Sequence, residues 1–598
     1  MSEYKAPLEE IRFALEVSAG LNEWTDIPAF VEAGEDLVGA VLEEAGKLAR
    51  DVIAPTNVIG DQEGATLQED GTVKTPDAFK AMNEAFVEGG WPTLAFEPDY
   101  GGQGLPGSLA LAVSEMVTSA NMAYSLNPML TSGAIEAIAA HGSDEQKAMY
   151  LPNMIAGTWT GAMNLTESGA GSDVGALKSK AEALPDGSYK ITGQKIFITW
   201  GDHDLAENVI HLVLARLPGA PKGTKGISMF IVPKFHVNDD GTLGDRNDVR
   251  CVSLEHKLGI HGSPTCVMSF GDNDNCIGYL VGRENEGMRN MFTMMNHARI
   301  SVGLEGVAIS ERAYQHAVWY AEDRVQSASI DRTGPDAVAI IQHPDVKRML
   351  MTVKATTEAA RAIIYRNAWA LDRAHKAEDA DVRRQASGEA DLLTPISKAY
   401  STDIGVENTS TALQVFGGMG FVEETGAAQH YRDSRIAPIY EGTNGIQALD
   451  LVGRKLNMDG GEHWRALIEE MRTFCSENAS NPSIDIAALA SAVEALSEAA
   501  EALFSNGFER IVDTASSATP YLRMFGTVVG AYLLSLQSLE ASRRLEANTG
   551  NPEFLKTKQL TANFFIEQIL PVGTALLKPV LAGGSTLSEI STEMFARQ

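Results

Sequence analysis

Glu441 stands in the stretch RDSRIAPIYEGTNGIQ, residues 432–447, between Tyr440 and Gly442 and just after apolar residues. A carboxylate in an apolar pocket holds its proton more tightly and can serve as a general base. Most glutamates are solvated surface residues, so only its surroundings make this one a candidate. Three further segments carry atoms suited to holding a ligand. In MNLTESGAGS, 163–172, Gly169, Ala170 and Gly171 let the backbone approach a ligand closely, and Thr166 and Ser172 supply hydroxyls. Alone, it reads equally as a polar loop opening a β region. In KIFITWGD, a strand ends at Thr199, and two-residue alternation puts Thr199 and the aromatic Phe197 on one face. The plain alternative is an ordinary barrel strand. In LQVFGGMGFVEE, 413–424, Gly417, Gly418 and Gly420 break a helix after Gln414, and read alone this is a C-cap and turn.

These segments sit in regions of different texture. Residues 1–158 read as mostly helical, with helical spacing over Val31–Asp51 and a capping box, Ser143 and Gln146. From 159 to 281 short β-branched runs separated by turn signals suggest a β-barrel or sandwich. From 282 to 456 the pattern is helical again, with polar breaks near 328–336 and 375–390 that look like helix-to-helix loops. Asn457–Gly461 reads as a linker, and 463–598 as an additional helical domain. The fold class expected is therefore mainly α with a β middle domain.

The chain of 598 residues is too long for one core. Its net charge of −31 argues against nucleic acid and anionic membranes as partners. Any anionic ligand then needs a local positive site. No uninterrupted apolar run approaches a bilayer's thickness, the nearest being the short Val528–Leu536, so no membrane insertion is expected. The N-terminus MSEYKAPLEE has no signal-peptide pattern, and a cytoplasmic location is expected. Cys251, Cys266, Cys276 and Cys475 form no CxxC pair, so no metal site is expected and all four read as small buried apolar residues. A GxGxxG match at Gly102, Gly104 and Gly107 has Pro106 inside it and no βαβ unit around it, and reads as a surface turn.

Taken together and in this order, LTESGAGSD, FITWG, LQVFGGMGF and RDSRIAPIYEGTNGIQ resemble the acyl-CoA dehydrogenase family over roughly 30–455, with IYEGTN the most specific segment. The resemblance implies a helical N-terminal domain, a β middle domain and a helical bundle. It implies FAD as cofactor, an acyl-CoA thioester as substrate, an electron-transfer flavoprotein as acceptor, and a homo-oligomer, either a dimer or a dimer of dimers. Glu441 matches the family's catalytic base. Met163, Leu165, Thr166, Gly171, Ser172, Phe197 and Thr199 match flavin-contacting positions, as does Thr443. Arg324, Gln414 and Gly418 match residues that complete a neighbouring subunit's FAD site. Ser172, Asn296, Arg299, Tyr440 and Gly442 match the surroundings of the substrate. Ser168, Trp200 and Gly445 depart from the usual residues, and the FAD contact made at the last of these is not carried over. Residues near 327–341 look like an insertion.

The length, the extra domain and the opening YKAPLEEIRFAL resemble the long bacterial members, and among them those acting on a thioether substrate. That likeness implies conversion of 3-methylmercaptopropionyl-CoA to methylthioacryloyl-CoA in dimethylsulfoniopropionate breakdown. Met288, Met291, Met294 and Met295 precede Asn296 and Arg299, and Met419 lies in the glycine turn. Methionines at helical spacing usually fill a core, yet a soft side chain also suits a pocket for a thioether. Dehydrogenation of short or medium straight-chain acyl-CoA and an acyl-CoA oxidase on the same fold remain alternatives. A non-catalytic flavoprotein that binds nucleic acid is the alternative of another class.

Overall fold

A computed structural model describes residues 3–331, 334, 336–506 and 510–596. Two compact units divide the chain: residues 43–301 with Glu3–Ala6, and Pro7–Leu42 with Val302 onward.

In the first unit, the apolar helices Gly107–Ala120 and Met122–His141 are followed by Asp144–Ile155. The last opens on the expected capping box, with Ser143 and Gln146 bonding each other's backbone. Gly102 follows a short turn, Pro98–Tyr100, and no strand. A Cβ there would lie 2.0 Å from the carbonyl oxygen of Phe96, so the tight loop itself requires glycine.

The β region is an eight-stranded sheet. Its order is Val249–Leu254, Thr265–Phe270, Tyr189–Thr199, Ile277–Leu280, Ile227–Pro233, Asn208–Arg216 and Trp159–Asn164. The strand Lys180–Ala183 pairs with both Tyr189–Thr199 and Asn208–Arg216, which closes that part of the sheet into a ring. The barrel is therefore the form taken. All four cysteines are free and buried. One expectation fails in detail. Strict alternation does not carry from Lys195 to Thr199, because the register shifts between Cys266 and Met268 opposite it. Phe197 sits at this bulge with φ +59. An extra residue re-aims the side chains that follow it. Phe197 is exposed for that reason, while Lys195, two residues earlier, is fully buried.

In the second unit, the helix Gly287–Asp323, from Val302 on, meets Ala380–Val415 at bare backbone. A Cβ at Gly306 would lie 2.1 Å from the Ser401 oxygen, and one at Gly405 2.9 Å from the Cα of Gly306. The break expected at 375–390 is only Ala377–Asp379: Asp379 accepts from the N–H groups of Asp381 and Val382 and starts the next helix. The polar run after it is a helix with a solvated face. The break at 328–336 holds a small hairpin, Val325–Ala328 with Ala337–Ala339, where a plain loop was expected. Residues 332, 333 and 335 of the expected insertion lie outside the described residues.

The additional helices include Glu462–Glu477, Ile486–Asn506, Ile511–Glu546 and Pro552–Phe564. Lys558 is buried and ion-pairs with Glu10 and, at 2.6 Å, with Glu358, which ties Leu8–Ser18, Pro344–Lys376 and Pro552–Phe564 together. The apolar run at Val528–Leu536 is core. Pro552–Ala582 does reach the length and mean hydropathy (1.4) of a membrane span, contrary to the sequence reading, because that reading sought an uninterrupted apolar run and polar residues are scattered through this one.

Candidate active site

Glu441 lies in a left-handed turn with φ +54, followed by Gly442 at +82. Such backbone is uncommon for a side chain as large as Glu and persists only where neighbours fix it. Here they do. The Tyr440 N–H donates to the Ile436 oxygen and the Asn444 N–H to the Pro438 oxygen. Gln447, fully buried, donates its side-chain N–H to the carbonyls of Glu441 (3.2 Å) and Gly442 (3.4 Å). The Thr443 hydroxyl accepts the Ile446 N–H and caps the helix Asn444–Gly453. Asn444 is anchored on Ala380–Val415: its side chain accepts from Lys398 at 2.8 Å and donates to Asp403 at 2.7 Å. The Tyr440 hydroxyl bonds Glu305 at 2.5 Å. Burial pushes the Glu305 carboxyl up to about 8; Tyr440 and Lys398 oppose that rise and the charge of Glu441 adds to it.

Elsewhere in this unit, Arg324 and Gln414 lie near the ends of their two long helices. Phe416 stacks on Tyr320, with ring centroids 4.3 Å apart, within a small core of Ala313, Ala317, Ala412 and Val415. Arg324, Gln414 and Gly418 are exposed, and a Cβ at Gly418 would meet no atom within 4 Å. Met419, Phe421 and Val422 beside them are exposed apolar residues, Phe421 to 90%.

In the first unit, Met163 is the penultimate residue of the fully buried strand Trp159–Asn164, and Leu165 and Thr166 follow it. The Ile196 N–H donates to the Thr166 oxygen, so the 163–166 and 195–199 segments lie side by side. Lys195 secures this join by donating to the Leu165 carbonyl (3.0 Å) and to Glu167 (2.9 Å). Glu167 also accepts from the Ser179 hydroxyl and from the N–H groups of Lys178 and Ser179. Burial opposes ionisation of Glu167, but Lys195 and these donors outweigh it and hold its carboxyl below the usual value. Burial pushes Lys195 down to about 8 against the pull of Glu167. The loop beyond is open: a Cβ at Gly169 or Gly171 would meet nothing within 4 Å, and Ser172 is exposed. Arg299 is buried with Asn296 3.5 Å from it, and Asn296 is exposed. Met291 and Met294 are core residues, while Met288 and Met295 are partly buried against that core.

Family profiles for three acyl-CoA dehydrogenase domains match the chain in order: N-terminal at 40–158, middle at 162–273 and C-terminal at 285–456. A fourth, described as acetyl-CoA dehydrogenase C-terminal like, matches 467–591. The chain is 46% identical to the 3-methylmercaptopropionyl-CoA dehydrogenase of Ruegeria pomeroyi, over 95% of this chain and 96% of that one. The chain belongs to the acyl-CoA dehydrogenase family. A butyryl-CoA dehydrogenase of Syntrophomonas wolfei is 36% identical over 99% of each chain. Among solved structures, Caenorhabditis elegans ACDH-11 in complex with C11-CoA aligns with a TM-score of 0.78 at 18% identity, over 99% of this chain and 97% of that one, a likeness of fold.

Sequence reasoning passed over three residues of this acyl-CoA dehydrogenase. Gln447 and Lys195 lie in or beside the quoted motifs but carry no family role there. Glu305 lies in no motif. Its signal was a lone charge in the otherwise small and apolar run SVGLEGVAIS.

Proposed function

We propose that this enzyme dehydrogenates a short acyl-CoA thioester with FAD, and that 3-methylmercaptopropionyl-CoA is its substrate. The observation that carries the reading is the clamped left-handed turn at Glu441, which fixes a carboxylate beside buried groups. The side chain of Glu441 takes the α-proton of the thioester, and its backbone N–H donates to the thioester oxygen as negative charge grows there. Bound FAD supplies the acceptor for the β-hydrogen, and the product is a trans-2-enoyl-CoA.

The residues present fit that cofactor. The open backbone at Gly169 and Gly171, the hydroxyls of Thr166, Ser172 and Thr199, and the exposed ring of Phe197 suit a flat heterocycle bearing polar edges and a phosphate tail. Met163 and Leu165 add an apolar wall. Thr443 keeps its O–H free to donate while its oxygen caps the helix. Arg324, Gln414 and Gly418 would serve a second copy of the chain, so the working form is a homo-oligomer. Asn296, Arg299, Tyr440 and Gly442 would line the thioester. Electrons would then leave to an electron-transfer flavoprotein.

Met294, packed over Gly133, is the proposed wall of a short acyl pocket. A Cβ at Gly133 would lie 2.8 Å from Cγ of Met294, so the methionine fills what a side chain would otherwise occupy. A soft wall of this kind admits a sulfur as readily as a methylene. Purified enzyme assayed with an artificial acceptor against acyl-CoA thioesters of increasing length, the thioether included, tests the reading. Highest kcat/KM is expected for the thioether and for butyryl-CoA. Preference for palmitoyl-CoA, or no turnover of the thioether, would overturn it. Oxygen uptake without added acceptor would make the enzyme an oxidase.

A further inference from the structure

The mechanism above uses Glu441 and leaves a second buried acid unassigned. Glu305 is 1% exposed and sits between the two glycines, Gly303 and Gly306, at which its helix touches Ala380–Val415. Those contacts are backbone to backbone: a Cβ at Gly303 would lie 2.5 Å from the Ser397 oxygen. So close a crossing leaves Glu305 little freedom of place. Its carboxyl meets the hydroxyl of Tyr440, the residue before Glu441, with both oxygens at 2.5 Å.

We propose that Glu305 is a positioning residue for the base: through Tyr440 it holds the Glu441 turn, and as a second carboxyl it makes the strength of that base depend on its own ionisation. The inference rests on Glu441 being the base. The groups facing Glu305 are Tyr440 and Glu441 on the turn and Lys398 on Ala380–Val415, with Asp403 farther along that helix and bound to Asn444. Burial is the largest influence on Glu305 and favours its neutral form; Lys398 and Tyr440 favour the charged one. In neutral solution Glu305 therefore carries a proton. A buried acid placed for structure alone could be an amide, and the tyrosine would bond it equally well. What an amide cannot do is ionise. The attraction or repulsion between two charges acts on both alike, so an ionised Glu305 strengthens the pull of Glu441 on a proton.

The decisive comparison is between wild type, Glu305→Gln and Glu441→Gln, each loaded with flavin. Wild-type kcat should rise through about pH 8, where Glu305 ionises. Glu305→Gln should keep kcat at pH 7 within about threefold, keep KM within about twofold and lose that rise. Glu305→Ala, which leaves Tyr440 without its partner, should lose about tenfold or more in kcat, and the amide should rescue it. Infrared difference spectra between acid and alkaline pH give a readout apart from turnover. They should show a protonated carboxyl that disappears through about pH 8 in wild type and is missing in Glu305→Gln. A rise retained in Glu305→Gln, or no such carboxyl in wild type, would overturn the proposal. If Glu441→Gln loses activity while Glu305→Gln keeps the wild-type profile, the inference fails alone. If Glu441→Gln stays active, the reading beneath it fails.

Discussion

Met294 lies so close over Gly133 that a single added carbon would sit 2.8 Å from its Cγ. Met294 is fully buried among Leu130, Ala134, Met163 and Ala298. It is a core residue and, in the reading above, the proposed wall that limits chain length. Met294→Ala should raise kcat/KM for hexanoyl-CoA relative to butyryl-CoA by about tenfold, since one methylene in an apolar pocket is worth ~1–3 kcal/mol. The same change should cost ~2–5 kcal/mol of stability. An unchanged ratio in a folded variant would take Met294 out of the pocket.

Arg324 is exposed, and within its own chain bonds Gln326 at 3.3 Å. An arginine so lightly engaged is free to serve a phosphate on another copy. Arg324→Ala should purify with less flavin and sediment as a smaller species than wild type. A variant that keeps full flavin and the same assembly would show that this arginine completes no neighbouring site.

Buried histidines, His203 and His211 among them, set the acid limit. Burial pushes His203 down to about 4 and His211 to about 3, so both are neutral when folded. His203 accepts the Leu205 N–H on one ring nitrogen, and Asn164 lies 3.1 Å from a ring nitrogen of His211, so an added proton would lack an acceptor. Below about pH 6.5 the unfolded chain binds protons that the fold refuses, and stability falls as pH falls, by up to about 1.4 kcal/mol per pH unit for each histidine. Melting temperature should drop steadily as pH falls from there toward pH 5. His211→Asn should make the drop shallower, and a flat wild-type profile would contradict the assignment.

Much of the local backbone of the candidate site was legible in the sequence. Glycines, hydroxyls and one acid cluster in four short segments, and each segment ends a strand or breaks a helix, which is where backbone becomes free to hold a ligand. The position of Phe197 was not legible, because a bulge depends on the partner strand and leaves no local mark in KIFITWGD. Glu305 was missed because its partner Tyr440 lies 135 residues away. A lone acid in a small-residue helix is a signal only once it is known what it faces. The helix boundary at Ala380 was misplaced because DVRRQASGEA is as polar as a loop, and only the cap at Asp379 separates the two.

The most direct test concerns Glu441 itself. Flavin-loaded Glu441→Gln and wild type are mixed rapidly with 3-methylmercaptopropionyl-CoA or butyryl-CoA, and bleaching of the flavin absorbance is followed in a single turnover. The exchange preserves size and removes only the basic oxygen, so the variant should retain flavin and melt as wild type does. Its bleaching should be slower by about 10²–10⁴-fold or more, the usual cost of losing a general base. Bleaching at a near wild-type rate would place the base on another residue and contradict the account.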